Sequence, residues 1–257
     1  MNRINQLFQN KKSGILSLYF CAGYPHLEST VETLQALQQG GVDMVEIGIP
    51  FSDPMADGLV IQTAANKALK NGISLHLLFN QLHDIRQTVQ MPLILMGYLN
   101  VIYQYGFENF CRSCQKCGID GVIIPDLPFD VYQKDYKETA DRYDLKIIML
   151  ITPETSEERI HLIDRETDGF IYEVSTDATT GSQNEFNAAT VDYFKRIRNL
   201  KLKNPTLIGF GISNKATFTA AQSYAAGAII GSKFVGLSGT LPTPQEALQK
   251  LHETLDK

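Results

Sequence analysis

The amino-acid sequence predicts an α/β fold, a (β/α)8 TIM barrel with an extra N-terminal helix and an extra helix after strand 2. Two observations predict it: short apolar segments alternate with segments of helical length along the whole chain, and the 257 residues hold eight such units. Near-continuous apolar strands separated by helices indicate a parallel sheet whose two faces are covered. Eight units in about 250 residues is the usual length of a barrel of this kind.

The predicted strands are rich in isoleucine, leucine and valine, and each closes with glycine, proline, aspartate or serine. A doubly wound open sheet is the alternative, but the first strand ends in CAGYP rather than in a G-x-G-x-x-G turn. No proline-, glycine- or serine-rich linker divides the chain, so we expect a single domain over residues 1–257. The strands are expected at 15–23, 44–50, 92–98, 121–126, 146–151, 170–175, 206–211 and 227–232.

Helical segments fill the intervals between the strands, for example at 27–40, 131–143 and 214–227. Residues 2–11 precede the first strand, and we expect them to form an added helix that covers the floor of the barrel. Residues 58–89 hold two helical stretches, GLVIQTAANKALKNG and LHLLFNQLHDIRQTV. The connection after the second strand therefore carries the extra helix.

The charge balance argues against some classes of function. Lysine and arginine number 23 against 28 acidic residues, a net charge of −5, so no basic face for nucleic acid is expected. The longest apolar runs are far shorter than the ~20 residues of a membrane helix. The first residues, MNRINQLFQNKKSG, lack the apolar centre of a secretory signal. We expect a cytoplasmic protein that binds neither nucleic acid nor membrane.

Three cysteines, Cys111, Cys114 and Cys117, form a C-x-x-C-x-x-C pattern in FCRSCQKCG. Alone, this pattern is typical of a metal or iron–sulfur site, but the fourth ligand of the ferredoxin-type run is absent. The segment has helical character and ends in glycine, so the thiols follow one stripe of a helix. We therefore expect small buried side chains here and no metal site.

In a barrel the active site lies at the carboxyl ends of the strands. This rule reduces the sequence to a short set of polar and aromatic candidates at predicted strand ends and in the loops that follow. They are Glu46, Asp53, Asp57, Tyr98, Asn100, Asp126, Tyr172, Ser175, Thr180, Phe210, Ser213 and Ser232.

The stretch EIGIPFSDPMADG, residues 46–58, places an acid inside a predicted strand. Strand side chains alternate between faces, so Val45, Ile47 and Ile49 suit the helix-facing exterior and Glu46 points into the barrel. Burial raises a carboxyl pKa, and a raised pKa suits a group that gives and takes protons. The alternative is a buried glutamate paired with lysine or arginine, but no candidate strand end supplies that cation.

Two more acids follow in the same stretch. Asp53 precedes Pro54, which is typical of a turn, and its side chain is able to cap the next helix. Asp57 stands in MADG, which also suits a turn. Position alone does not decide whether Asp57 caps a helix or takes part in chemistry.

Glycine–serine turns follow the last two strands, in GFGIS (209–213) and GS (231–232). Barrels often bind phosphate with the loops after strands 7 and 8, although serines at such positions also cap helices. The segment 175–189, STDATTGSQNEFNAA, is long, small and polar. It indicates either a lid that closes on a ligand or a plain surface loop.

The positions of lysine and histidine argue against two chemistries. A Schiff-base enzyme needs a lysine on a strand facing the barrel interior, whereas Lys146 opens its strand and Lys233 lies beyond strand 8. The five histidines are scattered over loops and helices, which does not suit a catalytic metal. Acid–base chemistry on a phosphorylated small molecule remains.

EIGIPFSDPMADG resembles the signature of the tryptophan synthase α subunit family. AGYP after strand 1, MGYLN after strand 3, GFGIS after strand 7 and GAIIGS at strand 8 fall where that family has them. The resemblance covers essentially the whole chain, including the N-terminal helix and the long connection after strand 6. It departs from the usual pattern at 176–178, where arginine and glycine are common, and at Leu59, where proline is common.

The family cleaves indole-3-glycerol phosphate to indole and glyceraldehyde 3-phosphate, a retro-aldol reaction. Glu46 matches the family's catalytic glutamate, which protonates indole C3 and helps to deprotonate the glycerol hydroxyl. Asp57 matches the aspartate that contacts the indole N–H. Tyr19 lies where the family often has phenylalanine. The substrate-binding residues that the resemblance implies are Tyr19, Tyr98, Tyr172, Thr180, Gly181, Phe210, Gly211, Gly231 and Ser232.

The family's α subunit works in an α2β2 complex and passes indole to a β subunit that carries pyridoxal phosphate. The resemblance implies that Asp53 and Pro54 contact this partner, and that this chain itself holds no cofactor. A different barrel enzyme for a phosphorylated substrate and a non-catalytic activator of a β subunit are the alternatives. The indole-specific motif argues against the first, and the intact pair of Glu46 and Asp57 argues against the second.

Overall fold

Parallel strands form one sheet in the computed structural model, which describes residues 1–175 and 185–256. Along the sheet the strands stand in the order β5-β4-β3-β2-β1-β9-β8-β7-β6, and every pair is parallel. The strands are β1 (Ile15–Cys21), β2 (Met44–Gly48), β3 (Leu93–Met96), β4 (Gly121–Ile123), β5 (Lys146–Ile148), β6 (Leu150–Ile151), β7 (Ile171–Val174), β8 (Thr206–Gly209) and β9 (Gly227–Ile230).

The barrel closes through the fifth predicted strand. Only Met149 separates β5 from β6, so the two are parts of the segment expected at 146–151. β5 pairs with β4 and β6 pairs with β7, which joins the two ends of the sheet. The (β/α)8 barrel is therefore confirmed, with its fifth strand divided between two neighbours.

Helices surround the sheet as predicted, including the two extra ones. The N-terminal helix is α1 (Arg3–Asn10), and both α3 (Leu59–Lys70) and α4 (Leu75–Leu82) follow β2. A π-helical turn, Tyr132–Tyr136, interrupts the helix expected at 131–143, and a 3-10 turn, Ile85–Gln87, follows α4. The α-helices are α1 (Arg3–Asn10), α2 (Ser29–Gln39), α3 (Leu59–Lys70), α4 (Leu75–Leu82), α5 (Leu99–Tyr105), α6 (Phe107–Cys117), α7 (Phe129–Val131), α8 (Lys137–Arg142), α9 (Glu157–Glu166), α10 (Ala188–Asn199), α11 (Lys215–Tyr224), α12 (Ser232–Ser238) and α13 (Pro244–Asp256).

Helix α1 closes the floor of the barrel, at the amino ends of the strands. Ile4 is fully buried, and its side chain lies so close to Gly121 that a Cβ there would meet it at 2.9 Å. The rings of Phe8 and Phe170 pack with centroids 5.9 Å apart. In the described part of the chain, α1 thus covers the amino ends of the strands, and the carboxyl ends stay open to a ligand.

The three cysteines of the C-x-x-C-x-x-C run lie buried on α6, as predicted. Gly118 ends this helix in the left-handed region, with φ of 70°. Burial raises the pKa of the Cys111 thiol to about 12 and of the Cys117 thiol to about 11. Within residues 1–175 and 185–256, no group of three or more histidine, cysteine or acidic side chains is arranged to hold a metal ion. Over the same ranges, no helix has the length and apolar character that crossing a bilayer requires.

Asp120 ties the floor of the barrel together from a buried position at the start of β4. Its carboxylate accepts hydrogen bonds from Arg86 at 2.6 Å, from Arg3 at 3.2 Å and from the backbone N–H of Leu93 at 2.9 Å. One side chain therefore links α1, the turn after α4 and the first residue of β3.

We expect Asp120→Asn to lower the free energy of unfolding by roughly 3 kcal/mol, because it leaves the half-buried Arg86 without a counter-charge. Urea denaturation measures this loss. The matched control is Asp130→Asn, which removes the exposed ion pair between Asp130 and Arg159 and should change stability little. Equal losses in the two variants would contradict the role given to Asp120.

Candidate active site

A cavity of ≈ 570 Å³ opens at the carboxyl ends of the strands. Its walls come from strands on both sides of the barrel and from the loops after β2, β8 and β9. Most of the lining side chains are apolar or aromatic, and a few polar groups converge on the interior. The lining residues are Tyr19, Glu46, Asp57, Gly58, Leu59, Val60, Ile61, Met96, Tyr172, Phe210, Gly211, Ile212, Ser213, Ile229, Gly231, Ser232 and Lys233.

Glu46 lies in β2 with its side chain fully buried at the inner end of this cavity. The hydroxyl of Ser17 donates a long hydrogen bond of 3.5 Å to Oε1, and Oε2 has no hydrogen-bond partner among the described residues. No lysine, arginine or histidine in residues 1–175 and 185–256 forms an ion pair with it. Burial therefore raises the pKa of Glu46 to about 8, and the hydrogen bond from Ser17 only partly opposes this. Among the described residues Glu46 has no charged partner, so the alternative of a glutamate paired with lysine or arginine is wrong.

Asp57 reaches the same cavity from the loop after β2. Its Oδ2 accepts a hydrogen bond of 3.1 Å from the Tyr98 hydroxyl, and that hydroxyl accepts one of 2.9 Å from the backbone N–H of Ala56. Burial raises the pKa of Asp57 to about 6, with the bond from Tyr98 acting in the opposite direction. The cap of α3 is Gly58, which makes no side-chain capping hydrogen bond. Asp57 therefore faces the cavity and does not cap the helix.

Two tyrosines from opposite sides of the barrel line the cavity, and each packs its hydroxyl against a glycine. A Cβ on Gly48 would lie 2.1 Å from the hydroxyl of Tyr19, and one on Gly209 would lie 2.1 Å from that of Tyr172. Only glycine leaves room for these hydroxyls. Burial, followed by the negative charges of Glu46 and Asp57, raises the pKa of Tyr172. Both acids and this ring thus share one space.

The loops after β8 and β9 form the other side of the mouth. Gly211, Gly231 and Ser232, which the resemblance implies bind the substrate, all line the cavity. Lys233 joins them from the first turn of α12. The sequence does not predict this place for Lys233, which is weighed there only as a Schiff-base lysine, although Lys233 directly follows the GS turn.

Asp53 and Pro54 do not line the cavity. The Asp53 side chain is exposed, Pro54 is buried, and the backbone turns tightly as the N–H of Asp57 donates to the Pro54 carbonyl at 3.1 Å. Asp53 does not cap α3 either. Two further predicted residues, Thr180 and Gly181, lie outside the described residues, as does most of the connection 175–189.

A family profile described as tryptophan synthase alpha chain matches residues 5–256 of this chain. The chain belongs to the tryptophan synthase alpha chain family. A tryptophan synthase alpha chain of Parabacteroides distasonis is 65% identical over 99% of both chains. One from Bacteroides fragilis is 61% identical, covering 100% of this chain and 97% of the relative. The resemblance stated from the sequence is confirmed, and with it a lyase of tryptophan biosynthesis.

Solved structures of tryptophan synthase alpha chains share this barrel. A mutant α-subunit from Pyrococcus furiosus superposes with a TM-score of 0.86 at 34% identity, covering 95% of this chain and 98% of that one. The alpha chain of Legionella pneumophila gives 0.86 at 29% identity, covering 100% and 98%. The aminoacrylate-bound tryptophan synthase of M. tuberculosis gives 0.85 at 25% identity, covering 99% and 98%. These likenesses bear on the fold and the family, and the roles of individual residues stay predictions.

We expect Tyr98→Phe to raise the pKa of Asp57 above about 6, because the variant removes the hydroxyl that stabilises the charged carboxylate. Titration of the Asp57 carboxyl by ¹³C NMR, assigned with Asp57→Asn, measures the change. Tyr103→Phe is the matched control, because Tyr103 is exposed on the neighbouring helix α5. An unchanged Asp57 pKa in Tyr98→Phe would contradict the assigned hydrogen bond.

Proposed function

We propose that the chain cleaves indole-3-glycerol phosphate to indole and glyceraldehyde 3-phosphate by acid–base catalysis with Glu46 and Asp57. The observation that carries this proposal is a pair of carboxyl groups in one cavity whose pKa values, about 8 and about 6, lie on opposite sides of neutrality. Two carboxyl groups whose surroundings give them different pKa values are typical of a general acid that works beside an ionised carboxylate. At pH 7 Glu46 holds a proton and Asp57 is mostly ionised.

The protonated Glu46 is the general acid in this proposal. Transfer of its proton to indole C3 makes that carbon tetrahedral and puts positive charge on the ring nitrogen. The Asp57 carboxylate accepts a hydrogen bond from the indole N–H and stabilises this charge. Tyr98 holds Asp57 in place for this contact.

Bond cleavage follows protonation. The C3–C3′ bond breaks, its electron pair returns to the ring, and the positive charge on nitrogen is neutralised. The hydroxyl on C3′ then gives its proton to Glu46 as the aldehyde forms, which restores the starting state of the enzyme. Each proton transfer to or from a positioned side chain is worth roughly 10²–10⁴ in rate.

The phosphate is proposed to bind at the mouth formed after β8 and β9. Gly211 and Gly231 let backbone N–H groups approach an anion closely, and Ser232 adds a hydroxyl. Lys233 lines the same part of the cavity and supplies positive charge. Thr180 and Gly181 remain predicted contributors.

The proposed reaction needs no cofactor in this chain, because the indole ring itself accepts the electrons of the broken bond. Pyridoxal phosphate is proposed only for a β-subunit partner, which would consume the indole. The four cysteines are free and buried, which suits a reducing compartment such as the cytoplasm.

A β subunit is proposed to dock beside the cavity mouth in an α2β2 complex, with the exposed Asp53 at the contact. Pro54 was predicted to contact the partner too, but its side chain is buried, so its proposed part is to shape the turn that presents Asp53. Large apolar side chains are exposed on the loop after β2 and at the start of α3, and another is exposed on α5. Met55 is 91% exposed, Leu59 77% and Tyr103 66%. Met55 and Leu59 flank Asp57 in sequence, and exposed apolar side chains beside a site suit a protein interface.

We expect Glu46→Gln and Asp57→Asn each to lower kcat for indole release by roughly 10²–10⁴, because each removes one proton-handling or charge-stabilising group. Indole release from indole-3-glycerol phosphate by the purified chain measures kcat, with and without a β subunit. Binding of glycerol 3-phosphate, followed by calorimetry, should remain within a few-fold of the parent chain.

Asp53→Asn is the control, because Asp53 lies outside the cavity. It should retain the activity of the isolated chain and lose part of the acceleration by a β subunit. Greater loss of isolated activity in Asp53→Asn than in the other two would overturn the assignment of the acids. No indole from the parent chain under either condition would favour a different barrel enzyme or a non-catalytic partner.

A further inference from the structure

Ser175, the first residue after β7, forms two hydrogen bonds with the end of the neighbouring strand β8. It is fully buried. Its backbone N–H donates to the carbonyl of Gly209 at 3.2 Å, and its hydroxyl donates to the carbonyl of Phe210 at 2.7 Å. The backbone bond continues the ladder between β7 and β8. The hydroxyl adds a second hydrogen bond, to Phe210, the first residue after the end of β8.

The second hydrogen bond matters because the backbone of Phe210 lies in the left-handed region, with φ of 66°. This region is uncommon for any residue but glycine, and a bulky side chain there strains the backbone. Gly211 follows with φ of 70°, where glycine adopts the conformation without strain. The chain therefore keeps a phenylalanine in a costly conformation immediately before the glycine of the cavity mouth.

The conformation places the Phe210 ring in the cavity wall. The ring meets that of Tyr172 at 69°, with centroids 6.0 Å apart. Tyr172 in turn packs its hydroxyl on Gly209, whose carbonyl accepts the hydrogen bond from the Ser175 backbone N–H. The Ser175 hydroxyl lies 3.7 Å from where a Cβ on Gly211 would be. Ser175 thus contacts the turn from which both an aromatic wall and a proposed phosphate-binding backbone arise.

We propose that Ser175 is a positioning residue for the substrate: its hydroxyl holds Phe210 in the left-handed conformation, which orients the Phe210 ring and the Gly211 N–H toward the ligand. This inference deepens the proposed function and rests on it. Ser175 does not line the cavity and acts through Phe210. Glu46 and Asp57 stand on other strands and loops, so the hydroxyl affects binding more than the chemical step.

Ser175→Ala is expected to raise KM for indole-3-glycerol phosphate and the Kd for glycerol 3-phosphate by roughly five- to tenfold, the value of one buried hydrogen bond. It should change kcat by less than twofold. Ser175→Thr keeps the donor and should restore KM to within about twofold of the parent.

Thr167→Val is the matched control. Thr167 is buried at the opposite end of the barrel, and its hydroxyl donates to the Ile163 carbonyl at 2.7 Å, the same length as the Ser175 bond. The variant should cost comparable stability in urea and leave KM and Kd unchanged. A purely structural role for Ser175 predicts the same behaviour in both variants.

A readout without substrate separates this inference from the proposed function. The ¹³C resonances of the Phe210 ring in the ligand-free chain should move in Ser175→Ala and stay in place in Thr167→Val. Failure of the parent chain to release indole would overturn the proposed function, whereas these resonances would still test the hold on Phe210.

The inference is overturned if Ser175→Ala leaves KM within twofold of the parent, or if Thr167→Val raises KM equally. Should Ser175→Ala not fold, Ser175→Cys carries the test, because a thiol is a weaker donor. It is expected to give a KM between those of the parent and of a variant without a donor. A parental KM in Ser175→Cys would then overturn the inference.

Discussion

The site depends on one constraint, the removal of the Glu46 carboxyl from water without a charged partner. Strand β2 is buried along its whole length, and alternation turns Glu46 toward the barrel interior. The single long hydrogen bond from Ser17 does not compensate for the lost hydration. The protonated form is therefore favoured up to about pH 8, and a side chain that is usually a base becomes an acid at neutral pH.

Burial alone does not make a site, as a second strand acid shows. Glu173 on β7 is also buried, and burial raises its pKa to about 7. Alternation turns it away from Tyr172 and from the cavity, toward the helical layer. Glu46 differs from Glu173 because it lines a cavity that a second acid, Asp57, also lines. Burial raises the pKa of Asp57 and the hydrogen bond from Tyr98 lowers it, which together give a value of about 6. The cavity converts two desolvated carboxyl groups into a proton donor and an anion.

Much of this arrangement could be predicted from sequence because it follows from periodicity. Alternation in β2 placed Glu46 inside the barrel, and the order of strands placed Gly211 and Ser232 at the mouth. The choice between Asp53 and Asp57 could not be made from pattern, since both stand in turn-forming contexts. The family resemblance assigns the catalytic role to Asp57. The structure places Asp57 in the cavity wall, bonded to Tyr98 41 residues away in sequence, and leaves Asp53 exposed outside the cavity. The left-handed Phe210 and its bond from Ser175 were equally invisible, because tertiary contacts impose a conformation that local propensity disfavours.

The central claim is that Glu46 and Asp57 work in opposite protonation states, and the pH dependence of kcat/KM for indole release tests it most directly. Activity should fall as pH rises through about 8, because Glu46 loses its proton, and as pH falls through about 6, because Asp57 gains one. The affinity for glycerol 3-phosphate, measured over the same pH range, gives the contribution of phosphate ionisation, and the activity profile is corrected for it. A bell-shaped profile with both limbs is the predicted result. Activity that stays level from about pH 7 to about pH 10 would contradict the account, because Glu46 would not then need its proton.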